Sequence, residues 1–323
     1  MDSNRLQFID IIKGIAIIFV VLAHLIQTNT LESKTNVVFQ IINSFHMPLF
    51  FFASGFIVFK VCKLEKWQKY KSFFVSKLRS LVLPCIVWNL VVDKFFFLPS
   101  WNMINTNDLH MLFRGGAYWF LMTLFWLSLI FGVLHLISNK VKKIYIDAIL
   151  FLIVLGGLVL LREMSLGLYF IFYSIGVFVS KYAFLGRIWN HSITFFVAFF
   201  IFVILVAHWK IEGSFVDDVL KVVIAPCAFI IITSLSKKNE NVLAGRMLSY
   251  IGRYSLVIYL VHWKFLMFFN NYKFHSENFN QFWLFLGALF ISMVVVYASI
   301  GIGKIIESNE YLAFIMLGHK LKK

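Results

Sequence analysis

Apolar residues run along this chain in long, nearly unbroken stretches, with polar punctuation between them at regular intervals. The stretches cover about 9–27, 41–60, 80–98, 118–138, 144–161, 164–181, 191–209, 217–235, 249–270 and 281–305. Each approaches the roughly 17–25 residues that carry a helix across the hydrocarbon of a bilayer. They do not alternate apolar and polar positions as the strands of a membrane barrel do. Lipid offers the backbone no hydrogen-bond partners, so uninterrupted apolar runs of this length predict helices. The pattern therefore predicts an all-α, polytopic integral membrane protein: about ten transmembrane helices in a single domain spanning 1–323.

Composition strengthens that reading. The 323 residues are 61% hydrophobic and 14% charged, whereas a soluble domain is about half apolar and a quarter charged. The formal net charge of +15 is placed unevenly. Lys60, Lys63, Lys66, Lys69, Lys71, Lys77 and Arg79 follow the second stretch; Lys140, Lys142 and Lys143 follow the fourth. Lys181 and Arg187 follow the sixth, Lys237, Lys238 and Arg246 the eighth, and Lys320, Lys322 and Lys323 end the chain. The alternate connections carry one base apiece: Lys34, Arg114, Arg162, Lys210 and Lys273. Cytoplasmic loops concentrate Lys and Arg, so both termini are expected on the cytoplasmic side of a bacterial-type cell membrane.

The lipid bilayer, and not nucleic acid, is the expected partner of this charge, because no basic aromatic patch or nucleic-acid module accompanies it. Cys62, Cys85 and Cys227 have neither a disulfide framework nor metal-ligand spacing. No metal and no permanently bound cofactor are expected. The first stretch lacks a small-residue cleavage site and carries Asp10, Lys13 and His24, so it reads as a retained helix and not a signal peptide. No repeat suggests the matching halves of a transporter.

Titratable groups inside lipid are costly, which makes each one a functional candidate. Lys13 and His24 are eleven residues apart, hence on one helix face and about 16 Å apart in height. Lys13 reads either as a groove residue or as a lysine snorkelling to the interface. His24 reads as a site residue or as a helix-end histidine bonded to a carbonyl. His46 enters the second stretch as His24 leaves the first, and a hairpin of the two would bring both imidazoles to similar depth. In the same segment Pro48 removes one backbone hydrogen bond, Phe50 to Phe52 read as packing, and Ser54-Gly55 as a close helix contact. In "IGRYSLVIYLVHWKF" (Ile251 to Phe265), Arg253 stands at one end, while Ser255, Tyr259 and His262 share a face that either binds a ligand or joins helices. Tyr118 and Trp119 suit an interfacial aromatic belt, and aromatic faces also stack on sugars.

These segments together resemble the membrane-bound acyltransferase 3 family over nearly the whole chain. "RLQFIDIIKGIAIIFVVLAH" (Arg5 to His24) is similar to the family's opening R…D…RG…V…H pattern. Arg5, Asp10, Gly14 and His24 match; Lys13 stands where the family usually has arginine, keeping the charge without the bidentate fork. "FHMPLFFFASGF" (Phe45 to Phe56) resembles the version in fucose 4-O-acetylase-like and biofilm-polysaccharide acyltransferases. "KLRSLVLP" (Lys77 to Pro84), "YWFL" (Tyr118 to Leu121) and "GRYSLVIYLVH" (Gly252 to His262) complete the set in the family's order.

The resemblance implies transfer of an acyl group, usually acetyl, from cytoplasmic acetyl-CoA to a hydroxyl of an outward-facing or lipid-linked sugar. Acyl-CoA would be a donor substrate, a cell-surface glycan the acceptor, and polysaccharide-synthesis machinery a partner. Arg5, Lys13, Lys77, Arg79 and Arg253 would form a basic donor mouth for the CoA phosphates. A sugar hydroxyl attacks a thioester only if a base takes its proton, and neutral imidazole suits that task. The motif assigns this to His24, with His46 and His262 as auxiliary groups. Asp10, about 21 Å below His24, would order the basic mouth through Lys13. Tyr118, Trp119, Ser255, Tyr259 and His262 would hold the acceptor. A transporter or flippase of a lipid-linked saccharide, and a non-catalytic scaffold, are the competing readings.

Overall fold

The computed structural model describes residues 6–29, 33–61, 67–93, 116–138, 143–211, 214–269 and 281–321, and all regular structure among them is helical. In chain order the α-helices are α1 (Gln7–Asn29), α2 (Val37–Val61), α3 (Trp67–Lys77), α4 (Leu83–Val87), α5 (Trp119–Ser138), α6 (Ile144–Leu160) and α7 (Met164–Lys181). They continue as α8 (Ala183–Trp189), α9 (Ser192–His208), α10 (Phe215–Lys238), α11 (Leu243–Arg253), α12 (Ser255–Phe269), α13 (Gln281–Glu307) and α14 (Glu310–Leu317).

All ten predicted stretches carry helix, and seven segments are long and apolar enough to cross a membrane. The pair α8 and α9, bent by 63°, makes an eighth if it forms one span, while Ile144–Leu160 and Ser255–Met267 are apolar but shorter. Two boundaries differ from expectation. The third segment begins at Trp67, far before residue 80, and runs to Asp93 as α3, a π turn, α4 and a second π turn. Pro84, at the start of α4, cannot donate a backbone hydrogen bond, and the helix widens on either side of it instead of ending. The ninth stretch is broken at Tyr254, where α11 stops and α12 begins.

The chain forms two compact units. The first holds Met1–Ile57 and Ile171–Gly303, with α1 at its centre. From Phe8 to Ile26 most of α1 is buried, including Ile11, Ile12, Val20 and Leu22 on different faces. A helix apolar all round is an interior helix, and this one packs against α10, α11 and α12. Its crossing with α11 is set by two glycines. A Cβ on Gly14 would overlap the carbonyl oxygen of Leu248, and a Cβ on Gly252 would overlap that of Asp10. The backbones therefore meet directly, as small residues allow between membrane helices. Glu240 seals the start of α1: its carboxylate accepts from the Phe8 N–H at 3.1 Å, and its carbonyl accepts from Gln7 Nε2 at 2.6 Å. An anion there also suits the helix dipole.

Helices α1 and α2 form the expected antiparallel hairpin. Phe8 meets Phe56 and Phe19 meets Phe45 edge to face, each pair at 5.6 Å. Pro48 sits within α2 without ending it. Gly55 abuts the backbone of Tyr173, and Gly176 that of Phe52, so the Ser54-Gly55 pair does mark a close helix contact.

The second unit holds Val58–Phe170 and Lys304–Lys323. Here α14 docks on the third segment. Trp88 Nε1 donates to the Met316 carbonyl at 3.0 Å, and Arg79 Nε donates to that of Gly318 at 3.1 Å. Gly318 ends α14 at φ 67°, the left-handed conformation that glycine takes without strain, and a Cβ there would overlap the Arg79 carbonyl oxygen.

Candidate functional site

The histidines of the first unit gather toward the last turns of α1. The His24 ring stacks on His262 of α12 with centroids 5.4 Å apart and meets Trp263 edge to face at 5.1 Å. Tyr259, one turn earlier on α12, has its ring 6.1 Å from that of His262. Ser255, two turns earlier, is half-buried at the start of that helix.

Helix geometry fixes which nitrogen of each ring carries the proton. His262 Nδ1 lies 2.9 Å from the Ile258 carbonyl oxygen, and His46 Nδ1 lies 2.8 Å from that of Ile42. A carbonyl only accepts, so both Nδ1 atoms are N–H donors and both Nε2 atoms keep their lone pairs. His24 Nδ1 likewise faces the amide oxygen of Gln27 at 3.3 Å. The Nε2 of His262 is buried with no hydrogen-bond partner. His262 and His46 are 3% and 6% exposed, and His24 is half-buried, so of the three His24 is the most open to an incoming molecule.

The hairpin register sets the Cα atoms of His24 and His46 at different heights, while the His46 ring reaches back one turn toward His24. Phe19 pairs with Phe45 and Phe8 with Phe56, which sets His46 opposite residue 18. At 1.5 Å per residue, His46 lies about 9 Å nearer the Lys13 end than His24. It stays within Coulombic reach of His24 and of Lys221 on α10.

At the other end of α1, Asp10 is 6% exposed and Lys13 half-buried. The α1–α11 crossing puts the backbone of Gly252, next to Arg253, against that of Asp10, and the Arg253 side chain is exposed. Lys237 adds a cation here, 4.9 Å over the Phe8 ring and bonded to Asn190 Oδ1 at 2.7 Å. Arg5, the remaining donor-site expectation in this segment, lies outside the described residues.

Four expected site residues belong to the second unit. Lys77 lies 5.3 Å over the Phe73 ring, and Arg79 holds the end of α14 through its Nε. Tyr118 is 3% exposed and donates its hydroxyl to Asp93 Oδ1 at 3.1 Å; Trp119 packs against Tyr169 at 5.3 Å. Tyr118 is thus an interior residue and not a rim aromatic.

Sequence reasoning passed over Lys221, Lys264, Trp209 and Trp263. Lys221 lies 5.9 Å from the Trp209 ring, and Lys264 is 9% exposed within α12. Both lysines fall inside apolar stretches, and the rule that flagged Lys13 would have flagged them too. Among the described residues no three His, Cys, Asp or Glu side chains gather as metal ligands. Compared with known families, residues 6–301 match one described as an acyltransferase domain. No curated protein and no solved structure matches the chain.

Proposed function

Because the chain belongs to the acyltransferase 3 family, which it matches over 6–301, we propose that it moves an acyl group, normally acetyl, from cytoplasmic acyl-CoA to a sugar hydroxyl. The acceptor is a cell-surface or lipid-linked glycan, as in the fucose 4-O-acetylase-like and biofilm-polysaccharide enzymes that Phe45 to Phe56 resembles. In this reading each apolar stretch crosses the membrane once, ten in all, in the cytoplasmic membrane of a bacterial-type cell. Both termini and the Lys13 end face the cytoplasm. The alternation of basic and base-poor connections supports that orientation.

The observation that carries the reading is the stacked His24–His262 pair, with the His262 proton on Nδ1, His24 Nδ1 turned to Gln27, and His24 half-buried. Lys13 and Arg253 receive the CoA phosphates, and Asp10 orders that mouth. The acyl arm then runs about 16 Å along α1 to His24. His24 Nε2 takes the hydroxyl proton as the sugar oxygen attacks the thioester carbon. The tetrahedral intermediate collapses, the C–S bond breaks, and the proton passes to the CoA thiolate. His46, His262, Tyr259 and Ser255 orient the acceptor. Polysaccharide-synthesis proteins supply it.

Labelled acetyl-CoA supplied to vesicles holding wild type or His24→Ala, with total surface glycan as acceptor, tests the proposal. Loss of a positioned base lowers transfer by about 10²–10⁴-fold. Transfer by the alanine variant at the wild-type rate would sink the assignment of His24. No transfer by wild type from acetyl or succinyl donors would instead favour movement of a lipid-linked saccharide.

A further inference from the structure

Lys221 sits on the buried stripe of α10, at helical spacing from Ile224, Ala225 and Ala228, while Val216, Val219 and Val223 face outward. No carboxylate among the described residues lies within 4.0 Å of its ammonium. Asp218, one turn back, acts on it only at longer range. A cation inside a membrane helix is costly and marks a functional position by default.

The packing shows what Lys221 stands beside. Phe45, next to His46, meets Phe202 of α9 at 5.9 Å. Further along, Ile211 packs on the cluster of Leu22, Ala23, Ile26, Phe39 and Ile42 around the His24 end of the hairpin. Trp209 Nε1 donates to the Asp217 carbonyl at 3.1 Å, which sets the register between α9 and α10. Counting along both helices puts Lys221 level with about residue 205 of α9, between the heights of His46 and His24. Trp209, 4% exposed, presents its ring to the ammonium and fixes the side chain there.

We propose that Lys221 is a specificity-determining residue that binds an anionic group of the acceptor, a carboxylate or a phosphate, between His46 and His24. This rests on the acyltransferase reading and narrows its acceptor to an acidic saccharide. The half-buried His24 presents its Nε2 lone pair and accepts a hydrogen bond from a sugar hydroxyl, whereas Lys221 donates to and neutralises an anion. One such contact orients the sugar, so that one of its hydroxyls is presented to His24 Nε2. The anion has two sources: a uronic acid within the glycan, or the diphosphate of a lipid-linked sugar.

The test measures binding and transfer separately on the purified full chain. Binding without acyl-CoA uses a labelled trisaccharide containing one glucuronate, its methyl ester, and a neutral trisaccharide on a lipid diphosphate. Wild type is expected to bind one of the two anionic probes roughly 30-fold more tightly than the ester. Lys221→Met removes that preference and Lys221→Arg keeps it. The probe that loses its advantage identifies the source of the anion. In transfer assays Lys221→Met raises KM for that acceptor and also lowers kcat, because the sugar is no longer held with a hydroxyl toward His24. Equal binding of all three probes by wild type overturns the proposal, as does an equal loss for acid and ester in Lys221→Met. Should the methionine variant fail to fold, the acid-against-ester comparison on wild type and Lys221→Arg still decides. Failed acyl transfer with a retained Lys221-dependent preference would overturn the acyltransferase reading and leave the anion site standing.

Discussion

Gly252→Ala adds one methyl group at the place where two helices touch through their backbones. The new carbon would overlap the carbonyl oxygen of Asp10 and come within 2.9 Å of the Gly14 nitrogen. Neither atom can rotate away as a side chain would, so α1 and α11 must separate. Overpacking of a fitted interface costs about 1–3 kcal/mol, and backbone against backbone belongs near the top of that range. The substitution recovers up to about 1 kcal/mol of helix propensity. The expected net loss is about 2 kcal/mol, or a fall in Tm of about 3 °C for a chain of 323 residues. Gly156→Ala and Gly157→Ala serve as controls, since a Cβ at either meets nothing within 4 Å and only the propensity gain applies. Thermal unfolding of the purified protein in detergent measures all three. Acyl-CoA KM should rise with Gly252→Ala alone, because the crossing carries Asp10 and Lys13 on one helix and Arg253 on the other. The reasoning fails if Gly252→Ala is as stable as the controls. It also fails if Gly14→Ala combined with Gly252→Ala costs the full sum of the two, since the first substitution already opens the shared crossing.

Two further substitutions separate structural from substrate roles in the second unit. Arg79→Ala removes the Nε donor that holds the Gly318 carbonyl and should cost about 1.5–3 kcal/mol, read as a lower Tm. Arg79→Lys should lose as much stability yet keep the acyl-CoA KM, so a KM that rises equally in both would contradict a purely electrostatic donor role. Tyr118→Phe deletes the hydroxyl bonded to Asp93 and should cost about 1 kcal/mol with acceptor KM unchanged. A rise in acceptor KM without loss of stability would restore Tyr118 to the acceptor site.

The helices were legible because lipid leaves a chain so few options. Length and hydropathy alone located α1, α2, α5, α7 and α10 to within a few residues. The early start of α3 was not legible, because "WQKYKSFF" reads as a basic loop, and its helix is an amphipathic lead-in to the apolar stretch. The break at Tyr254 was hidden for a different reason. "IGRYSLV" stays apolar enough to pass for one span, and the backbone contact of Gly252 with Asp10 and Gly14 joins residues more than two hundred positions apart. The stacking of His24 on His262 was not legible, because it depends on how α12 packs against α1. Lys221 was visible in the sequence, inside the apolar stretch 217–235, and was passed over.

The order of roles among the histidines follows from how a helix treats an imidazole. A histidine that reaches back one turn donates Nδ1–H to a carbonyl and projects Nε2 outward, as His46, His208 and His262 all do. Exposed His208 shows that this tautomer alone marks no site, so burial and company must decide. His262 has company but its Nε2 is enclosed, which suits a partner that packs and polarises more than one that exchanges protons with an arriving sugar. His46 is enclosed as well and lies deeper, beside Lys221. Of these three rings His24 bonds forward, to Gln27, and is only half-buried at the end of the stack. On the proposed acyl-transfer reading, the three rings divide into one open to a hydroxyl and two that fix where that hydroxyl is held. Replacing His262 or His46 should accordingly disturb acceptor KM before it disturbs the proton transfer itself.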